Sequence, residues 1–148
     1  MKNLFFTFFL ALAFSTAFSQ TKLTPAPKLT VSFGGIKSGN ASSESIKKIV
    51  DSAITVKDEK GNTYPLTHFR INYMFKSSYK DEETEQTKTS NELRVFEFYD
   101  TAVLSDNWKE SIRDNVKQGD ELLINNISVR LKNGKKMLAP EYRLKVTQ

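Results

Sequence analysis

Histidine and cysteine, which often carry nucleophilic catalysis and zinc binding, are scarce in this chain of 148 residues. It has a single histidine, His68, and no cysteine. A histidine base needs a positioned nucleophile, and a metal-binding histidine needs companion ligands at a fixed spacing. The sequence offers neither for His68, which lies on the polar side of an alternating pattern. We therefore expect a surface histidine, and cysteine chemistry is excluded.

Acidic and glycine-rich segments give equally little support for a reactive site. Asp81, Glu82, Glu83 and Glu85 supply oxygen atoms, but they lack the Asp-x-Asp-x-Asp-Gly spacing of a calcium loop. Carboxylate pairs for glycoside hydrolysis are brought together by folding, and the sequence does not point to any particular pair. Gly34, Gly35 and Gly39 precede a helical pattern without the spacing of a phosphate-binding loop, so a turn is expected.

Trp108 is the remaining candidate, as a stacking platform for sugars. It stands four and eight residues before Ile112 and Val116, which is helical spacing and favours a place in the core. We predict no catalytic, cofactor-binding or metal-binding residue, no cofactor and no enzymatic activity.

The N-terminus has the pattern of a secretory signal. Lys2 precedes an apolar run from Leu4 to Phe14, and Ala17-Phe18-Ser19 fits a cleavage site. A membrane anchor needs about 20 apolar residues, and this run is shorter. We predict a signal peptide at 1–19, an extended leader at 20–28 and a single domain at 29–148. After cleavage we expect no stable membrane insertion, and a periplasmic rather than an extracellular location.

Alternation of apolar and polar residues predicts a mainly β domain with two short helices. Leu29–Phe33 alternates, and the odd positions of 69–75 are apolar, which predicts a half-buried antiparallel strand. The segment 93–99 is apolar on both faces, so we expect a strand covered on both sides. Between these strands, 79–91 is predicted to be a long, mobile acidic loop.

Helical spacing appears twice. The first pattern places Ile46, Ile49, Val50 and Ala53 on one face after a serine cap. The second opens at Ser105 and is predicted to end at Gly119.

The C-terminal segment predicts a hairpin rich in basic residues. A strand from Leu122 to Leu131 should carry a bulge at Asn125–Asn126, and Asn133-Gly134 is a strong turn signal. Tyr142, Leu144 and Val146 should then point inward. The net charge is +5, and solubility alone would explain it. One alternative is a surface for an acidic partner, formed by Arg130, Lys132, Lys135, Lys136, Arg143 and Lys145, and another is that this hairpin pairs with the acidic loop between subunits.

The order of these elements resembles the C-terminal domain of GldM, a gliding-motility and type IX secretion protein of Bacteroidetes. The resemblance rests on the strand into Gly34-Gly35, Phe69-Arg-Ile-Asn-Tyr, the helix opened by Leu104-Ser105, Asn126-Ile-Ser-Val and the terminal Tyr-Arg-Leu-Lys-Val. It covers roughly 29–146. It implies an immunoglobulin-like antiparallel β-sandwich in the periplasm, serving as a protein-contact module that is usually dimeric.

GldM begins with a transmembrane helix and long periplasmic domains, whereas here a predicted signal peptide stands directly before the domain. The resemblance therefore suggests a stand-alone adaptor or accessory of gliding motility or type IX secretion. Its partner would be an envelope protein, such as a component of the secretion ring, or a second copy in a homodimer. Nucleic acid is not expected as a partner of an exported protein. The alternative is an exported β-sandwich that binds carbohydrate or another envelope polymer.

Overall fold

The computed structural model describes residues 26–148. The predicted signal peptide, and positions 20–25 of the predicted leader, lie outside the described residues. Within 26–148, no helix is both long and apolar enough to cross a membrane. The elements follow in this order: β1 (Leu29–Phe33), β2 (Ile36–Lys37), β3 (Gly39–Ser42), α1 (Ser43–Ile49), β4 (Ile54–Asp58), β5 (Thr63–Tyr64), β6 (Leu66–Lys80), β7 (Thr87–Tyr99), α2 (Asp106–Asn115), β8 (Glu121–Arg130), β9 (Lys136–Leu138) and β10 (Tyr142–Thr147).

The strands form two sheets. The first has four strands in the order β2-β1-β4-β5. The second has six, in the order β3-β10-β8-β6-β7, with β9 also paired to β8. Only β3 and β10 run parallel to each other; the other pairs are antiparallel. This arrangement confirms the predicted mainly β sandwich with two short helices.

The core contains apolar side chains from both sheets and both helices in one cluster. Alternation along the inner strands, such as β1 and β10, sends every second residue into it. In β1 these residues are Leu29, Val31 and Phe33, and in β10 they are Tyr142, Leu144 and Val146, as the sequence predicts. Since the described chain has no disulfide, burial of this cluster and hydrogen bonding stabilise the fold.

Both predicted helices form, with different ends from those expected. Ser42 caps α1, accepting a hydrogen bond from the Ser45 amide at 3.2 Å. The helix stops at Ile49, so Ala53 lies beyond it and is exposed, which corrects its predicted place on the buried face. Likewise, α2 is capped at Val116, and Gly119 lies in the turn that follows rather than at the helix end.

The β6–β7 hairpin is much longer than predicted. The two strands pair in register from His68 opposite Tyr99 to Lys80 opposite Thr87. Only 81–86 connects them, so the prediction of a loop over 79–91 is wrong. Polar strand residues such as Ser77 and Ser90, whose hydroxyls lie 3.1 Å apart, need no core contact because they pair across the hairpin.

The strand β7 is an edge strand, with β6 as its partner in the sheet. Of its thirteen residues only Phe98 is buried. The expectation of a strand covered on both sides is therefore wrong. The strand has apolar side chains on both faces, but it lies at the edge of its sheet.

The predicted irregularities of the last strands are confirmed. Asn126 has a φ of 52°, and the pairing of β6 with β8 shifts register around His68, as a bulge requires. Beyond the Asn133-Gly134 turn, β9 and then β10 both pair with the edge of β8 that faces away from β6.

Candidate interaction surface

The outer face of the second sheet is formed by alternate residues of β6 and β7. The odd-numbered residues over 69–75 are buried, so the residues between them point to the opposite face. On that face Asn72 lies opposite Val95, and Met74 lies opposite Leu93. The first sheet packs on the inner face, and this outer face is therefore the one available to another molecule.

Four apolar side chains on this face are exposed. Met74 is 37% exposed, Leu93 59%, Val95 47% and Tyr99 64%; we call these four the outer apolar strip. Three of them come from the single edge strand β7. Isolated exposed apolar residues are ordinary in soluble proteins, whereas neighbouring ones such as Met74, Leu93 and Val95, beside a polar rim, are typical of a contact surface.

A polar cluster centred on Glu97 interrupts the strip. The Glu97 carboxylate accepts hydrogen bonds from the Tyr99 hydroxyl at 2.6 Å and from Arg70 Nε at 2.9 Å. The Tyr99 hydroxyl, followed by Arg70, lowers the pKa of Glu97 from 4.5 to about 2. Glu97 is therefore ionised and paired, which suits it to fix the Tyr99 side chain at the surface and does not suit it to act as a proton acceptor.

His68 belongs to the same cluster. Its Nδ1 lies 3.1 Å from the Asn126 carbonyl oxygen, and its Nε2 lies 3.6 Å from the Glu97 carboxylate. The imidazole also lies 4.8 Å from the Tyr99 ring, centroid to centroid. The side chain is only 22% exposed, so it is more buried than the surface histidine that the sequence predicts. These contacts hold the ring between the bulge and the strip.

The six basic residues predicted to bind a partner lie in two groups along β8. Around the β8–β9 turn, Arg130 faces Lys136 across the strands, and Lys132 and Lys135 belong to the turn itself. At the other end of β8, β10 places Arg143 opposite Leu123 and Lys145 opposite Glu121.

The two groups also differ in how far their charges are engaged. Arg143 donates to the Glu121 carboxylate at 2.6 Å and to the Glu141 carboxylate at 3.4 Å, so its guanidinium is already paired within the domain. Near the turn, Arg130 lies 4.0 Å from Asp100. The turn group borders the outer face, because Arg130 and Ser128 alternate with buried Val129.

The predicted acidic loop is a short turn organised by one carboxylate. Asp81 accepts hydrogen bonds from the Thr84 amide at 2.9 Å and the Glu83 amide at 3.2 Å, and it pairs with Lys88. Lys88, followed by Thr84, lowers the pKa of Asp81 to about 2. The side chain is thus used to close the hairpin. Within 26–148, no group of three or more His, Asp or Glu residues is placed to hold a metal ion.

Trp108 lies at the margin of the core. It is partly buried against the core cluster, and its ring lies 6.4 Å from that of Phe96. An open groove of about 370 Å³ runs beside it, lined by Arg94, Val95, Asn107, Trp108 and Ser111. The prediction of a core tryptophan is therefore only partly right, since one side of the indole borders the groove.

Sequence reasoning missed the outer apolar strip. The signal in the sequence is that apolar residues lie on both faces of 93–99, a pattern that predicts a strand covered on both faces. An edge strand gives the same pattern, and only the neighbours of β7 distinguish the two cases. No protein-family model matches this chain, and no curated protein matches it.

Proposed function

We propose that this protein is a non-enzymatic protein-interaction module of the bacterial periplasm, acting as an adaptor or accessory of gliding motility or type IX secretion. The outer apolar strip carries the proposal. It places four exposed apolar side chains on one face of a stable sheet, beside an ordered Glu97–Arg70 pair. An apolar centre with a polar rim is the composition of protein interfaces.

The basic residues of the β8–β9 turn support a binding role for the same surface. Arg130 lies 4.0 Å from Asp100, the residue after Tyr99, and Lys132, Lys135 and Lys136 follow Arg130 in the β8–β9 turn and β9. Rim charges of one sign steer an acidic partner toward an apolar contact and change the association rate more than the affinity. The resemblance to the GldM C-terminal domain supports the envelope location and the secretion or gliding ring as the source of the partner.

Co-purification from native envelopes tests this function. The tagged chain, expressed with its own N-terminus, is recovered and its bound proteins are identified by mass spectrometry. Recovery of components of a gliding or secretion ring is expected with the wild-type chain. Val95→Thr combined with Leu93→Thr keeps β propensity while removing apolar surface, and this double variant should lose the partner.

A charge-reversed variant separates the two parts of the surface. Lys132→Glu combined with Lys135→Glu should bind the partner more slowly at low salt, where charge repulsion is least screened, and should retain it at higher salt. Loss of the partner in this variant alone, with the strip variant unaffected, would move the binding site to the basic turn. Recovery of no envelope protein by the wild-type chain would remove the proposed function.

The groove beside Trp108 favours a second candidate, a module that binds an envelope polysaccharide. The Trp108 indole next to Arg94, Asn107 and Ser111 combines an aromatic ring with hydrogen-bonding groups, as sugar sites do. Polysaccharide retained during the same purification, and lost on Trp108→Ala, would support this candidate over the adaptor.

A further inference from the structure

The free edge of β7 is long and regular, and no other described strand pairs with it. Its thirteen residues pair with β6 without a register shift, and the strand contains no proline. Natural edge strands avoid association through bulges, prolines, short length or charged side chains, and of these β7 has only charged side chains. At roughly 3.4 Å per residue this edge extends over about 44 Å. Such an edge is a ready partner for another strand.

Two backbone hydrogen bonds identify which groups of β7 face away from β6. The Asp81 amide donates to the Gln86 carbonyl, and the Asp100 amide donates to the Thr67 carbonyl. In an antiparallel pair the bonded positions alternate, so the even-numbered residues of β7 bond to β6. The amide and carbonyl groups of the odd-numbered residues, with Leu93 in the middle, therefore point to the open edge.

We infer that the open edge of β7 pairs antiparallel with β7 of a second copy of this chain, about a two-fold axis at Leu93. Leu93 is the midpoint of Thr87–Tyr99, so this register pairs the whole strand. The two second sheets then become one continuous sheet, with five strands of each copy along its main path.

The charges of β7 select this register. Centred on Leu93, Glu92 of each copy lies opposite Arg94 of the other, which gives two ion pairs on one face. Moving the axis by one residue in either direction places Glu92 opposite Glu92, or Arg94 opposite Arg94, and directly opposed like charges destabilise a sheet. Glu92 is exposed and has no ion pair within the described residues.

The outer apolar strips of the two copies join in this dimer. Leu93 meets its own counterpart across the axis, and Val95 lies opposite Asn91 on the same face. The inference deepens the proposed function, because the joined strips present a wider apolar area to an envelope partner. It rests on the proposed function for the claim that a partner binds this surface. It also gives the homodimer a specific pairing surface, the open edge of β7.

Sedimentation equilibrium of the purified full chain across a concentration series tests the dimer. We expect a dimer for the wild type and a monomer for Glu92→Arg and for Arg94→Glu, since each places like charges opposite each other. Combining both substitutions restores opposite charges and should restore the dimer. Glu82→Arg, in the β6–β7 turn, is the matched charge control and should remain dimeric. Circular dichroism confirms that each variant is folded.

Each alternative result overturns the inference. A wild-type chain that is monomeric at every concentration rules out the dimer. A dimer that neither single substitution disrupts must form through another surface. Failure of the double variant to recover the dimer excludes the register centred on Leu93. Envelope co-purification is measured separately: a monomer that still captures a ring component rejects only the dimer, and a dimer that captures none rejects only the proposed function.

Discussion

The Tyr73 hydroxyl donates a 2.9 Å hydrogen bond to the Asp120 carboxylate, and both residues are only 1% exposed. The same carboxylate accepts the Lys117 amide at 3.0 Å and the Lys76 amide at 3.4 Å. Asp120 thus connects β6 to the turn between α2 and β8. Burial, followed by the bond to Asp120, raises the pKa of Tyr73, so the hydroxyl remains a donor at neutral pH.

Tyr73→Phe should lower the free energy of unfolding by about 1.5–3 kcal/mol, the usual contribution of a hydrogen bond to a charged group. Urea denaturation measures the change. Tyr142→Phe is the matched control, because the Tyr142 hydroxyl is buried without a hydrogen-bond partner among the described residues. That substitution should be neutral or stabilising. Equal losses in both variants would contradict the role assigned to the Tyr73–Asp120 bond.

Gly34→Ala should be more destabilising than Gly35→Ala. Both glycines have positive φ, 53° and 83°, and an alanine there costs about 1–2 kcal/mol of backbone strain. A Cβ at Gly34 would in addition lie 2.5 Å from Ile49 Cβ, whereas one at Gly35 meets nothing within 4 Å. Overpacking adds about 1–3 kcal/mol. Thermal unfolding of the two variants compares them, and similar melting temperatures would refute the close contact.

Acid should weaken the fold partly through Glu97. Its pKa is about 2 in the folded protein and 4.5 in the reference state, so its stabilising contribution is complete above pH 4.5. The contribution is lost as the pH falls from 4.5 toward 2. Glu97→Gln should therefore flatten the decline of stability over that range, as measured by urea denaturation at several pH values. Glu110→Gln, on α2, should retain the wild-type decline.

Trp108 is the only tryptophan, so its fluorescence reports the groove directly. Acrylamide should quench it to a degree between a buried and a free indole, since one side packs on the core. Phe96→Ala removes a neighbouring ring at 6.4 Å and should increase quenching. Val103→Ala, an exposed site that does not line the groove, should leave it unchanged. Quenching typical of a fully buried indole would exclude the groove as a sugar site.

Local patterns in the sequence were sufficient for most elements. Alternation located β1 and the inner face of β6, and Asn133-Gly134 located the turn before β9, because strand faces and turns depend on neighbouring residues. The bulge at Asn126 was also predicted, since the alternation of apolar residues changes phase there. Helix ends were less accurate, as Gly119 shows, because a glycine near a helix end also suits the turn beyond it.

Only the tertiary structure determined what covers each strand. The polar residues of 79–91 carry no burial signal, and their strands form through pairing with each other across the hairpin. Leu93 and Val95 are as apolar as core residues, yet they are exposed because β7 is at the edge of its sheet. Sheet order depends on contacts between residues distant in sequence, which local periodicity does not encode. The sequence therefore determined the β-sandwich and its two helices, and the packing of the sheets determined which surface is free to bind.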